Sequence, residues 1–131
     1  MQLTKEIWID APPEKAYRYL VEPELTVCWF GEESWNEPHA GGLYRVSGRG
    51  NVVRGEFVEL DPGRRVVHTW GSEGPNQIHA PGTTTVEWDL EGLGGGTRLR
   101  IRHSGLTEEG VERHGGGWDH FVPELAKAAA A

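Results

Sequence analysis

The stretch TTTVEWDLEGLGGGTRLRIRHS, residues 83–104, decides the fold. Its first half alternates apolar with acidic residues, and its second half alternates apolar residues with arginines, around a glycine-rich turn. A period of two places successive side chains on opposite faces of a β-strand. We therefore predict two antiparallel strands, 83–90 and 97–104. Their inward side chains include Trp88, Leu99, Ile101 and His103, and their solvent-facing side chains are Arg98, Arg100 and Arg102.

The same alternation continues upstream and predicts an antiparallel meander. Turns rich in glycine and proline separate further strands at 34–37, 43–47, 51–60 and 65–71. A first strand is predicted at 3–9, because these residues alternate and include β-branched and aromatic types, and the two prolines that follow mark its end. The segment 72–82 is long for a hairpin connection, and we expect it to form a mobile flap or the rim of a pocket.

Helical spacing flanks the meander on both sides. Two short helices are predicted at 12–21 and 23–30, and the second of them carries Cys28 on a buried face. A long amphipathic helix is predicted from 107 to 127, weakened by the Gly115–Gly117 triplet and by Pro123. The triplet either widens a cavity or marks a bend. Apolar and aromatic residues at steps of three and four define the contact edge of this helix: Val111, His114, Trp118, Phe121 and Leu125.

The composition of the chain limits the classes of function that it can have. A chain of 131 residues with 37% hydrophobic residues is expected to form one domain, residues 1–131. The formal charge of −7 repels phosphate backbones, so we expect no nucleic-acid partner and interpret the arginine stripe as a solvated face. No run of residues is apolar enough for membrane insertion or for a secretory signal. Cys28 is the only cysteine, which favours a reducing, cytoplasmic location.

An ordered set of short motifs resembles the START-like (SRPBCC) superfamily, and within it the branch of activator of heat-shock protein 90 ATPase homologue-like proteins. Each motif is weak alone, but together they run in the family's order through the whole chain. The motifs are Ala11-Pro12-Pro13-Glu14-Lys15, Pro23-Glu24-Leu25, Trp29-Phe30, Gly41-Gly42-Leu43-Tyr44-Arg45, Gly55-Glu56-Phe57, Leu60-Asp61-Pro62-Gly63-Arg64, Thr69-Trp70, Gly96-Thr97-Arg98-Leu99, His103-Ser104-Gly105-Leu106, His114 and Gly117-Trp118.

The resemblance implies an α+β helix-grip fold. In that fold a curved antiparallel sheet of about six or seven strands wraps a long C-terminal helix, and two short helices follow the first strand. The resemblance also implies a cavity between sheet and helix that takes hydrophobic small molecules. The resemblance does not specify one activity, because proteins that share a fold often share the position of a binding site but catalyse different reactions or none.

Strand parity and helix periodicity direct a set of aromatic and imidazole groups towards this interior. Tryptophan stacks on flat ligands, and histidine supplies a hydrogen-bond donor or acceptor. These residues either line a cavity or fill a core, and the sequence does not separate the two. The predicted ligand-binding residues are Trp70, Trp88, His103, His114, Trp118 and His68.

The sequence contains weaker signals for catalysis than for ligand binding. The six histidines include no HExxH run and no pair at helical metal-ligand spacing, so we expect no metal site and no cofactor. General acid–base work by His103 or His114, assisted by Glu56 or Glu59 if either faces inward, stays open.

We predict a non-catalytic protein that binds a hydrophobic small molecule. The alternatives are a co-chaperone that stimulates the ATPase of heat-shock protein 90, and a small polyketide cyclase or dehydratase. The sequence is compatible with a homodimer.

Overall fold

The computed structural model describes residues 1–74 and 77–131. Seven strands form one curved antiparallel sheet in the order β1-β7-β6-β5-β4-β3-β2. The sheet, the long C-terminal helix and two short helices after the first strand confirm the helix-grip fold. In chain order the elements are β1 Gln2–Ile9, α1 Pro13–Val21, α2 Pro23–Thr26, β2 Glu33–Ser34, β3 Leu43–Gly48, β4 Asn51–Asp61, β5 Arg65–Trp70, β6 Thr84–Leu93, β7 Gly96–Ser104 and α3 Glu108–Ala130.

Both short helices begin at proline. Pro13 opens α1 and Pro23 opens α2, where the missing N–H costs nothing because the first helical turn has no partner for it. α2 is shorter than predicted, since the chain passes into turns after Thr26. Cys28 lies in these turns and is exposed, so its predicted burial on a helix face is wrong.

The β6–β7 hairpin is tighter than predicted. Strand pairing continues to Leu93 and resumes at Gly96, which leaves Gly94 and Gly95 as the turn. Their φ angles are 58° and 87°, and two successive positive φ values suit a two-residue hairpin turn that glycine favours. The short turn extends both strands beyond the predicted limits.

The predicted alternation in this hairpin is confirmed. Leu99, Ile101 and His103 are at most 1% exposed. The three arginines face outward and pair with acidic residues of neighbouring strands: Arg98 and Arg100 with Glu6, and Arg102 with Glu87. Such surface pairs contribute little to stability, but they show which face of the sheet meets solvent.

Two strands differ from the prediction in detail. β2 is only two residues long and ends at Ser34. In β4 the register shifts between Phe57 and Glu59, so that Phe57 is fully buried while Glu56 and Glu59 are exposed. Neither carboxylate faces inward, and the assistance to a catalytic histidine that the sequence left open is absent.

Helix α3 packs across the inner face of the sheet. It begins after Thr107, whose side-chain oxygen accepts a hydrogen bond from the Gly110 N–H, and it continues without a break through Pro123. No helix in the described part of the chain is long and apolar enough to cross a membrane.

The buried face of α3 is centred slightly later in the chain than predicted. Trp118 and Leu125 of the predicted edge are buried, together with Val122 and Ala129. The other three members of that edge are half-buried: Val111, His114 and Phe121. His114 and Phe121 lie where the helix borders a groove.

Candidate functional site

A half-open groove of about 1030 Å³ lies at one end of the sheet. Its walls come from five parts of the chain: the turns after α2, the β3–β4 hairpin, Trp70 at the end of β5, the segment from Ser72 to His79, and the middle of α3. Within the segment 72–82, the described residues from Ser72 to His79 therefore line the groove, whereas Ala80, Pro81 and Gly82 are not among its lining residues. Pro75 and Asn76 of that segment lie outside the described residues.

One wall of the groove is a stack of aromatic rings. Phe30 is at its centre, with its ring 5.4 Å from that of Trp29 and 5.6 Å from that of Trp70, both in stacked geometry. Phe121 of α3 meets Phe30 edge-on at 4.8 Å. Three segments distant in sequence thus present one continuous apolar surface, the form that small-molecule sites usually take.

The opposite side and the mouth of the groove carry polar and charged groups. Arg49 lies at the tip of the β3–β4 hairpin, where its φ of 52° is held by the turn, and its backbone N–H donates to Glu32. Arg113 of α3 also lines the groove and pairs with Glu109. The mouth of the groove therefore contains both positively and negatively charged groups.

Behind the aromatic wall, His68 is held in its neutral form. The Trp88 indole N–H donates to His68 Nε2 over 3.0 Å, and His68 Nδ1 lies 3.0 Å from the Thr69 carbonyl. An indole is a donor only, so Nε2 must be unprotonated and Nδ1 must carry the proton. Burial lowers the pKa of His68 to about 4.

A second indole–imidazole bond holds His103 in the same way. The Trp118 N–H donates to His103 Nδ1 over 3.1 Å, which leaves Nε2 to donate to the Thr84 hydroxyl at 2.9 Å. That hydroxyl in turn donates to the Trp70 carbonyl. Burial lowers the pKa of His103 to about 3, and His114 nearby adds to the effect.

Three other histidines line the groove itself: His79, His114 and His120. The imidazole hydrogen bonds found among the described residues belong elsewhere, to His39, His68 and His103. The His79 and His114 rings stack at 5.7 Å. Burial and the neighbouring His79 lower the pKa of His114 to about 4, so the ring is neutral at neutral pH.

Glycine 110 makes room for this stacked pair. A Cβ atom at Gly110 would lie 2.3 Å from His79 Nε2. That nitrogen and the Trp70 Nε1 are the buried side-chain polar atoms without a hydrogen-bond partner among the described residues. Buried polar groups are nearly always paired, so two unpaired ones beside a groove indicate where a ligand atom would be recognised.

The structure separates the six predicted site residues into two sets. Trp70 and His114 line the groove. The other four lie behind its wall, in a packed and internally hydrogen-bonded core: His68, Trp88, His103 and Trp118. Strand parity and helix periodicity predicted inward positions for all six, and five of them are buried while His114 is half-buried. Neither pattern distinguishes a residue that fills a core from one that faces a void.

Sequence reasoning missed several groove residues. Phe30 was placed at the end of the predicted second helix and Phe121 on the contact edge of the long helix, and His79 and His120 were not assigned a role. The proximity of Gly110 to His79 could not be inferred from their spacing. The glycine triplet supplied a signal, since open space surrounds all three positions and Gly117 lines the groove.

Among the described residues, no group of three or more histidine, cysteine or carboxylate side chains is arranged to hold a metal ion. The exposed Cys28 lines the groove, but its thiol contacts only the Glu24 carbonyl among the described hydrogen-bonding groups. The arrangement can stack a flat molecule and exchange hydrogen bonds with it.

A curved sheet closed on a C-terminal helix, with an open aromatic groove between them, defines the START-like class of helix-grip proteins. Residues 10–130 match the family described as Activator of Hsp90 ATPase homolog 1-like protein. The chain belongs to that family. No curated protein matches the sequence significantly.

Solved structures agree with this assignment. An AHSA1-like protein from Rhizobium etli is 35% identical, with a TM-score of 0.77 over 100% of this chain and 82% of that one. DynU16, from the dynemicin biosynthetic locus, is 25% identical with a TM-score of 0.80, and the match covers 96% of this chain but 46% of that one. The Aha1 dimer from Colwellia psychrerythraea is 20% identical with a TM-score of 0.85 over 99% and 96% of the two chains, which shows the fold alone.

Proposed function

We propose that this protein binds a flat, hydrophobic small molecule in the groove and carries out no reaction on it. The observation that supports the proposal is the aromatic wall formed by Trp29, Phe30, Trp70 and Phe121 along a groove of about 1030 Å³. Ligand pockets commonly span roughly 300–1,000 Å³ and combine apolar walls with a few polar groups. The single cysteine is consistent with a cytoplasmic carrier.

Titration with naphthalene, followed by tryptophan emission, tests the proposal. We expect quenching, because Trp29 and Trp70 both border the groove. Phe121→Ala removes a half-buried part of the wall and should weaken binding several-fold, since an aromatic ring pair contributes about 0.5–1.5 kcal/mol beyond area burial. Leu93→Ala is the matched control, because Leu93 is a large, exposed apolar residue outside the groove lining.

Variants behind the wall distinguish groove binding from core binding. Trp88→Phe removes the indole donor to His68, and Trp88 itself is not a lining residue. The phenyl ring keeps an aromatic neighbour for Trp29, which the Trp88 ring meets edge-on at 5.9 Å. The substitution should lower stability and leave naphthalene affinity unchanged. Weaker binding in Trp88→Phe together with unchanged binding in Phe121→Ala would place the ligand in the core and contradict the groove assignment.

Native mass spectrometry of the freshly purified protein addresses the two rivals. The family description favours a co-chaperone role, and the likeness to DynU16 from a biosynthetic locus favours a small cyclase or dehydratase. A co-purifying ligand that is recovered unchanged after incubation supports a carrier. Stimulation of a chaperone ATPase would support the first rival, and conversion of the ligand would support the second.

A further inference from the structure

One face of α3 forms a wall of the groove, and the middle of that face has no side chain. The lining residues of the helix recur at steps of three and four, which places them on one side of it: Arg113, His114, Gly117, His120 and Phe121. Gly117 lies one helical turn from the neighbouring side chains in both directions. The helix backbone is therefore bare at the centre of this wall.

No close packing within the described chain requires glycine at position 117. A Cβ atom at this position would meet no heavy atom of the described residues within 4 Å, apart from the adjacent residues and the backbone of the helix itself. At Gly110 of the same helix, by contrast, a Cβ atom would collide with His79. Glycine is less favourable than alanine inside a helix. The missing side chain at position 117 thus weakens the helix and leaves space in the groove.

The groove is large for a ligand of two fused rings. Its volume of about 1030 Å³ is at the upper limit of the roughly 300–1,000 Å³ that pockets for drug-sized molecules span. Phe121, which meets Phe30 in the aromatic wall, follows Gly117 by four residues, or about 6 Å along the helix axis. A flat molecule that stacks on this wall and extends further by about one helical turn would lie across the bare backbone at Gly117.

We infer that Gly117 is a specificity-determining residue, which admits flat ligands of more than two fused rings because it leaves the helix backbone open to them. The inference rests on the proposed binding function and names the size class of the ligand. A helical side chain leans towards the preceding turn. A larger residue at position 117 would therefore extend over the turn that carries His114, into the space of the additional rings. Smaller ligands on the aromatic wall would keep their contacts.

Probes that differ only in the number of fused rings test this size selection. Naphthalenemethanol, anthracenemethanol and pyrenemethanol are titrated while tryptophan emission is followed. Gly117→Leu should weaken the binding of pyrenemethanol about tenfold or more, because a side chain inserted into occupied space is strongly unfavourable. The affinity for naphthalenemethanol should stay within about twofold of that of the unaltered protein. Gly117→Ala adds one methyl group and should weaken pyrenemethanol binding by an intermediate factor.

Gly116→Leu is the matched control. Position 116 is exposed, also meets open space and is not among the lining residues of the groove. Both leucine variants replace a glycine with a strong helix former, so both should raise the midpoint of thermal unfolding. Only Gly117→Leu should change the affinity for pyrenemethanol.

A measurement on the unaltered protein does not depend on the folding of any variant. Pyrenemethanol should shift the NMR resonances of the Gly117 Hα protons through the ring current of the bound molecule, and it should leave those of Gly116 in place. Naphthalenemethanol should shift the Gly117 resonances less. Equal shifts at the two glycines would contradict the inference.

Unchanged pyrenemethanol affinity in Gly117→Leu, an equal loss of affinity for all three probes, or the same loss in Gly116→Leu would each overturn the inference while leaving the groove as a binding site. Failure of every probe to bind the unaltered protein would instead overturn the proposed function itself.

Discussion

Acidification from about pH 7 to about pH 4 is expected to remove roughly 6 kcal/mol of folding stability through two buried histidines. In the folded protein the pKa of His68 is about 4 and that of His103 about 3, against an ordinary value of 6.5. Each imidazole accepts a hydrogen bond from an indole that can only donate, so protonation requires this bond to break.

The loss of folding stability at low pH follows from proton uptake by the unfolded chain. Above pH 6.5 neither state binds a proton at these sites, and the full stability is present. As the pH falls below 6.5, the unfolded chain is protonated while the folded chain is not. Each histidine then lowers the free energy of unfolding by about 1.4 kcal/mol per pH unit until its folded-state pKa is reached. At about pH 4 this amounts to roughly 3 kcal/mol each, a large part of the 5–15 kcal/mol typical of a domain.

Urea denaturation at a series of pH values, followed by circular dichroism, measures this slope. His103→Gln retains an acceptor for Trp118 and a donor for Thr84 but does not titrate. The part of the pH dependence that histidines cause should therefore fall by about a third, because His68 and His114 also have lowered pKa values. His39→Gln is the control, since His39 is exposed. The reasoning is refuted if the unaltered protein keeps its full stability to about pH 4.5, or if His68 and His103 titrate near 6.5 by NMR.

Three further predictions concern packing and the sheet surface. Gly110→Ala places a methyl group against His79 and should lower the free energy of unfolding by about 1–3 kcal/mol in thermal denaturation. Gly115→Ala meets open space and should stabilise α3 by up to about 1 kcal/mol. If Gly110→Ala were the more stable of the two variants, the helix register would be wrong. Trp118→Ala should cost about 3–5 kcal/mol in urea titrations, because the side chain is 3% exposed and its indole bonds to a core histidine. Arg100→Ala should leave the urea midpoint unchanged, since its side chain is solvated and its pair with an exposed carboxylate is screened by salt; a large loss would mean that the outer face is covered.

Local patterns in the sequence were sufficient to assign most strands and helices and their buried faces. A period of two in β6 and β7 assigned Leu99, Ile101 and His103 to the core and the intervening arginines to solvent, and steps of three and four assigned Trp118 and Leu125 to the buried face of α3. These assignments depend on backbone geometry that each segment adopts by itself. The motif resemblance then supplied the way in which the segments assemble.

Only the tertiary structure decided which inward residues form a wall and which form a core. Phe30, Trp70 and Phe121 meet across segments that are far apart in sequence, and the same assembly closes the indole–imidazole bonds of His68 and His103. Periodicity records the face on which a side chain lies, but a void arises from the distances between elements, which depend on all packed side chains together. For this reason the sequence determined the interior of the sheet and helix, and the folded chain alone determined that Trp70 and His114 border a groove.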